Sequence, residues 1–254
     1  MKPISLIIIC FLTIFLASCT SSDISSEIEQ LKNHPNVESD SIQRLLAEKY
    51  MEYAMENPSD SLSDDYLFNS SRAFFLLEDS ASSIWASKTG LEYFPESELN
   101  QKRLATLAQL YTSRNTDSAL YYYGLIPDSI TLSRYEYKAI GDLYARRYTE
   151  EPEAVDNLMK AGDYYFAAGM AADAAVMYKR FIYEGEDDTD KVQALNVLGF
   201  LYQQMEQPDS AERYYQLLID EYPETDEAKS AMLILKTQSH RKSAEELLRS
   251  FKQK

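Results

Sequence analysis

The stretch VQALNVLGFLYQQMEQPDSAERYYQLLIDEYP, residues 192–223, decides the fold. Its first half sets Leu195, Leu198, Gly199 and Tyr202 on one helical face, and its second half sets Ala211, Tyr215 and Leu218 on another. Pro208-Asp209 stands between the halves and Pro223 closes them, so the spacing predicts two short antiparallel helices joined by one turn. Such a pair cannot bury its apolar stripe alone and needs further copies beside it.

Copies are present upstream. In a pair predicted over 63–77 and 80–94, Leu67, Ser71 and Phe74 hold the places of Leu195, Gly199 and Tyr202, while Gly90 and Pro95 hold those of Leu218 and Pro223. A second pair, over 99–112 and 117–126, carries Leu104, Leu107, Ala108 and Tyr111 and then Ala119 and Tyr123. Tyr137, Ile140, Gly141 and Tyr144 mark a third first-type helix. The segment after it should be its partner, yet Leu158, Ala161, Gly162 and Tyr165 repeat the first-helix signature, followed by Ala174, Tyr178 and Phe181. That change of parity places a seam at 148–152. Beyond the seam, Gly162 and Gly199 are 37 positions apart, with the loop Gly185-Glu186-Asp187-Asp188 as a small insertion.

The small residue at the crossing and the aromatic three positions later resemble the tetratricopeptide repeat (TPR), whose period is about 34 residues. The resemblance spans most of 64–223 and implies an all-α fold, a TPR-like helical-repeat solenoid of antiparallel helix pairs. Three echoes, Asp79-Ser80-Ala81, Asp117-Ser118-Ala119 and Asp209-Ser210-Ala211, stand where second helices should start, as expected of helix caps. An earlier helix is expected from Asp40, capped by Asp40 with Gln43, and a short one around Ile24, Ile28 and Leu31. After Pro223, residues 227–235 and 243–251 are expected as two terminal capping helices.

The first residues carry a different message. Lys2 is followed by an almost wholly apolar run from Ile4 to Leu16, and Leu16-Ala17-Ser18-Cys19 resembles the lipobox of bacterial lipoproteins. The resemblance implies cleavage before Cys19 and attachment of acyl chains such as palmitate to it. Cys10 and Cys19 are the two cysteines, so the mature chain would hold no disulfide. The expected organisation is therefore a signal peptide over 1–18, a lipidated cysteine and polar tether over 19–40, an irregular stack over 41–148, well-formed repeats over 153–223 and caps over 224–254. Thr20, rather than Asp, after Cys19 resembles lipoproteins sent to the outer membrane, with the periplasmic face as the expected side. Tyr93-Phe94-Pro95-Glu96-Ser97 and Tyr222-Pro223-Glu224-Thr225 resemble the outer-membrane assembly lipoproteins of the BamD family.

A formal charge of −16 argues against nucleic acid, whose phosphates require clustered Lys and Arg. No nucleophile motif, phosphate loop, dinucleotide fingerprint or zinc spacing occurs, and the two histidines, His34 and His240, lie far apart. The sequence thus points to a binding scaffold for envelope proteins or peptides, without catalysis, cofactor or metal. A glycan-binding accessory of nutrient uptake, suggested by twenty tyrosines, and an outer-membrane assembly factor are the alternatives. Positions just off the packing stripe of the first helices should line the partner groove: Phe68, Arg72 and Phe75; Lys102; Lys138 and Asp142; Asp156, Met159, Asp163 and Phe166; Asn196, Phe200 and Gln203.

Overall fold

The computed structural model describes residues 23–252, so the signal segment and Cys19 lie outside the described residues. Among the described residues there are helices and no strand. They are α1 (23–32), α2 (Asp40–Glu56), α3 (Ser63–Leu76), α4 (Ser80–Tyr93), α5 (Asn100–Tyr111), α6 (Thr116–Gly124), α7 (Arg134–Glu150), α8 (Asp156–Ala167), α9 (Ala171–Glu184), α10 (Asp188–Gln204), α11 (Pro208–Glu221) and α12 (Asp226–Lys252). The chain forms two compact units, one ending at Ser129 and the other beginning at Ile130. Each is a tetratricopeptide-like stack in which sequential helices pack as antiparallel neighbours: α2 to α6 in the first, α7 to α12 in the second.

The glycine and tyrosine signatures are two halves of one contact. A Cβ on Gly199 would lie 2.4 Å from the Tyr215 ring, and one on Gly162 would lie 2.9 Å from the ring of Tyr178. Real side chains do not approach that closely, so glycine is what lets the tyrosine lie flat across the first helix. The tyrosine doublets extend this arrangement. Tyr164 stacks on Tyr144 (ring centroids 5.6 Å apart) while Tyr165 is buried, and Tyr214 stacks on Tyr202 (5.3 Å) while Tyr215 is buried. In the first unit Tyr122 stacks on Tyr111 (5.5 Å) and Tyr123 is buried, with Ala108 at the small position. Most of this aromatic surface is consumed between helices.

Connections repeat as well. Three first helices end in a turn whose middle residue has positive φ: Glu78 (59°), Gly169 (68°) and Glu206 (57°), each seven positions after the small residue. Paired backbone bonds close each end, for example Glu206 N–H to Gln203 O (3.0 Å) and Gln207 N–H to Tyr202 O (2.8 Å), the usual left-handed helix stop. Glycine adopts that conformation freely and glutamate does not.

The first unit meets the same packing demand with other chemistry. Ser71 stands in the glycine position, and its hydroxyl lies 2.5 Å from that of Ser87, at the place of Tyr215, while the Ser83 hydroxyl donates to the Ser71 carbonyl (2.9 Å). Where the clear repeat has Leu218, Gly90 opens space for a fully buried Arg103, whose Nε a Cβ there would meet at 2.3 Å. The guanidinium is neutralised by Asp64 (2.5 Å) and also donates to the Asn100 side chain (2.9 Å).

Several expectations are corrected. Residues 23–32 are not a tether but a helix whose Ile24 and Ile28 are buried against Tyr50, Tyr53 and Tyr66, so the short helix expected there is present and docked. The helix at 40 is capped by Ser39 without a side-chain bond, and Gln43 donates instead to Val37 O (2.7 Å), so the predicted box does not form. Of the three Asp-Ser-Ala echoes only Asp79 acts as a cap, accepting from the Ser82 N–H (3.2 Å). Ala119 and Ala211 are kept small instead because they are fully buried. The two expected terminal helices are one 27-residue helix, because no Pro or Gly interrupts 226–252.

The seam expected at 148–152 is bridged. α7 packs on α8, with Tyr165 against Gly141, where a Cβ would fall 2.8 Å from the ring. α8 therefore supplies a second-helix tyrosine to α7 and a first-helix glycine to α9. The units divide earlier, where α6, nine residues long, gives way to Pro127.

Two substitutions test this account by urea unfolding followed by circular dichroism. Gly199→Val should cost about 2–3 kcal/mol by forcing α10 and α11 apart. Glu206→Gly should stabilise by about 0.5–1 kcal/mol by relieving the left-handed backbone, the net of strain removed and unfolded-state freedom gained.

Candidate functional site

Alternation divides the second unit into two layers. Tyr148 of α7 donates its hydroxyl to Glu184 of α9, and Arg180 of α9 lies 4.4 Å from the Tyr148 ring centroid, joining those two helices in one layer. Phe166 of α8 meets Phe200 of α10, and α10 also packs on α12, joining those three in the other. The site lies on this second layer.

Its apolar element is the Phe166–Phe200 pair, edge to face with ring centroids 6.0 Å apart. Both residues are 42% exposed, so two aromatic rings in contact still present a shared apolar surface to solvent. Along α10, positions 189, 193, 196 and 200 recur at helical spacing and lie on one face. That face runs from Phe200 into a cleft of about 400 Å³, bordered by Thr189, Gln193 and Asn196 on one side and by Tyr222, Thr225 and Glu227 on the other. The Tyr222 hydroxyl donates to Asp188 (3.1 Å), and burial together with that carboxylate pushes its pKa up to about 12, so it remains a neutral donor.

The predicted groove residues divide by their places in the stack. Phe166, Asn196 and Phe200 are brought together, and Asp156 is exposed in the first turn of α8. Asp163 accepts from the Tyr178 hydroxyl (2.7 Å), and Gln203 accepts from that of Tyr215 (3.2 Å), so both hold a packing tyrosine in place as well as edging the groove. Met159 is a correction: it is 7% exposed, lies in the core with Leu158 and Tyr178, and has no surface for a partner. Lys138 and Asp142 are a second correction. They pair with each other on α7 (2.6 Å), and Asp142 also accepts from Tyr165 (2.9 Å). Their helix belongs to the opposite layer because α8 takes both helix roles. In the first unit, Lys102 lies 5.7 Å from the Phe68 ring centroid, Phe75 is half-buried and Arg72 is exposed. Thr189, Gln193, Tyr222 and Glu227 were not anticipated, although counting back from Phe200 by helical turns reaches the first two.

Among the described residues no group of three or more His, Cys, Asp or Glu is placed to hold a metal ion, and no helix is long and apolar enough to cross a membrane.

No family model matches the chain, and no curated protein matches it. Solved structures with some likeness include YrrB, described as a TPR protein with an unusual peptide-binding site (14% identity, 73% of this chain and 98% of that one, TM-score 0.33). PilW, a type IV pilus biogenesis factor, matches at 13% identity over 76% and 98% (TM-score 0.33). A tetratricopeptide repeat protein from Parabacteroides merdae matches at 14% over 87% and 93% (TM-score 0.30). Likeness at this level carries no argument for a shared partner, and the class of this fold rests on its own repeated helix pairs.

Asp163 offers a pH test of the site. Desolvation of its carboxylate raises its pKa, the Tyr178 hydroxyl lowers it, and nearby Asp190 raises it. A carboxylate with a raised folded-state pKa contributes stability that is complete at acid pH and lost as pH rises through that value. Removing the donor in Tyr178→Phe should move the Asp163 titration further upward, measured by carbon-detected NMR of the side-chain carboxyl. An unmoved or lowered value would contradict the assigned hydrogen bond.

Proposed function

We propose that the second unit binds an extended segment of a partner protein along the α8–α10–α12 layer, and that acylated Cys19 anchors the chain to the periplasmic face of an outer membrane. The exposed Phe166–Phe200 pair, continuous with a polar cleft, carries the binding reading. Two adjoining rings left in water lose nothing when a partner's apolar side chain covers them, while Gln193 and Asn196 can bond the backbone of an extended chain. The glycan alternative drew on the many tyrosines, and those in the doublets are largely spent on helix packing. The anchor rests on Leu16-Ala17-Ser18-Cys19, and buried acyl CH₂ groups at about 0.8 kcal/mol each hold two or three chains durably in a bilayer.

Photo-crosslinking from Asn196 in native membranes, followed by identification of the trapped protein, tests the groove. Phe166→Ala with Phe200→Ala should reduce capture about ten-fold at unchanged helicity, and undiminished capture would reject the groove. Independently, Cys19→Ser should shift the protein from the membrane pellet to the soluble fraction, whereas a protein still sedimenting with membranes would reject the lipid anchor.

A further inference from the structure

We infer that the partner segment is basic: an extended peptide carrying one apolar anchor, with Lys or Arg a few residues away. The inference rests on the groove reading above and adds the chemistry of its occupant. Four carboxylates stand beside the apolar pair and the cleft. Asp163 lies on α8 one turn before Phe166, Asp188 and Asp190 occupy the first turn of α10, and Glu227 occupies the first turn of α12. None of the four takes part in an ion pair among the described residues, whereas Lys229, the cation next to Glu227 on α12, is already held by Asp226 (2.9 Å). Lys160 and Lys191 are the other cations close by in sequence, and Lys160 lies over the Tyr144 ring (5.6 Å). Asp163 accepts from the Tyr178 hydroxyl (2.7 Å), and a second acid, Asp190, stands beside it.

The first-turn carboxylates also take up the positive ends of α10 and α12, where an anionic ligand would otherwise find a welcome. An acidic segment thus meets like charge along the cleft, and a basic one meets its complement. Spacing sharpens the motif. From Phe200 back to Asp190 is roughly 15 Å at 1.5 Å per residue, and to Asp188 roughly 18 Å. An extended chain rises about 3.3 Å per residue, which puts the basic side chains about four to six positions from the anchor.

The test uses the whole protein in detergent micelles and fluorescence anisotropy of labelled decapeptides. One carries a single Leu with Lys four and six positions away on a Gly-Ser background, and its twin carries Glu in place of Lys. The Lys peptide should bind and the Glu peptide should not. Affinity for the former should fall about ten-fold on Asp163→Asn/Asp190→Asn/Glu227→Gln and fall as salt rises, since exposed charge pairs are individually weak and screened. Asp163→Asn keeps an acceptor for Tyr178, so the packing bond survives, and Asp220→Asn/Glu221→Gln on α11 should leave binding unchanged. Equal binding of both peptides, no binding of the Lys peptide, or insensitivity to the groove acids overturns the basic motif. Equal loss with the α11 substitutions also overturns it, by showing attraction to overall charge. If Phe166→Ala/Phe200→Ala still abolishes capture of the native partner in membranes, the groove reading survives that failure, and if it does not, both fall.

Discussion

The stack depends on a ring lying against a backbone. Gly162 and Gly199 have no side chain because Tyr178 and Tyr215 cross the first helix at the α-carbon. Around Gly141 and Gly199 the aromatic residue three positions later, Tyr144 or Tyr202, stacks on the other member of the tyrosine doublet, so one glycine and three rings set the approach and register of those two pairs; beside Tyr178 that place is taken by Met177. The hydroxyls then find acceptors on the first helix: Asp163 for Tyr178 and Gln203 for Tyr215. A tyrosine is better suited than phenylalanine to this place, since its polar tip reaches the edge of the interface while its ring fills the crossing.

The first unit shows that the constraint is on volume and satisfaction, not on residue identity. Ser71, Ser83 and Ser87 replace glycine and aromatic with small hydroxyls that bond one another, which keeps the helices close without a ring between them. Arg103 does the opposite, filling with a charged group the room made by Gly90. Because its charge is fully buried, Asp64 is indispensable to it: a buried cation without its partner costs far more than the pair contributes.

The pairing of small residue and aromatic was legible in the sequence because both recur at fixed spacing, and it gave the helix pairs and their turns. What escaped was anything set by a neighbour distant in sequence. Gly90 could be matched to Leu218, but nothing local says that an arginine thirteen positions on would occupy the gap. Met159 sits off the stripe by periodicity, yet it is covered because α8 packs on both sides. The same helix misled the groove assignment: with α7 counted as another first helix, Lys138 and Asp142 fall in line with Phe166, whereas alternation of layers puts them behind it. Phe166, Asn196 and Phe200 were found because one stripe of one layer is a local property. The cleft wall at Tyr222 and Glu227 needed the return of the chain in α12.

The double signature of α8 also bears on how such a chain can lengthen. Helices added in pairs leave every existing helix in its layer. A helix that serves as the second member of one pair and the first of the next permits growth by a single element, and each such step exchanges inside for outside on its far side. Which surface is free to acquire a ligand is then a matter of odd or even, settled by a count of helices before any side chain on that surface is chosen.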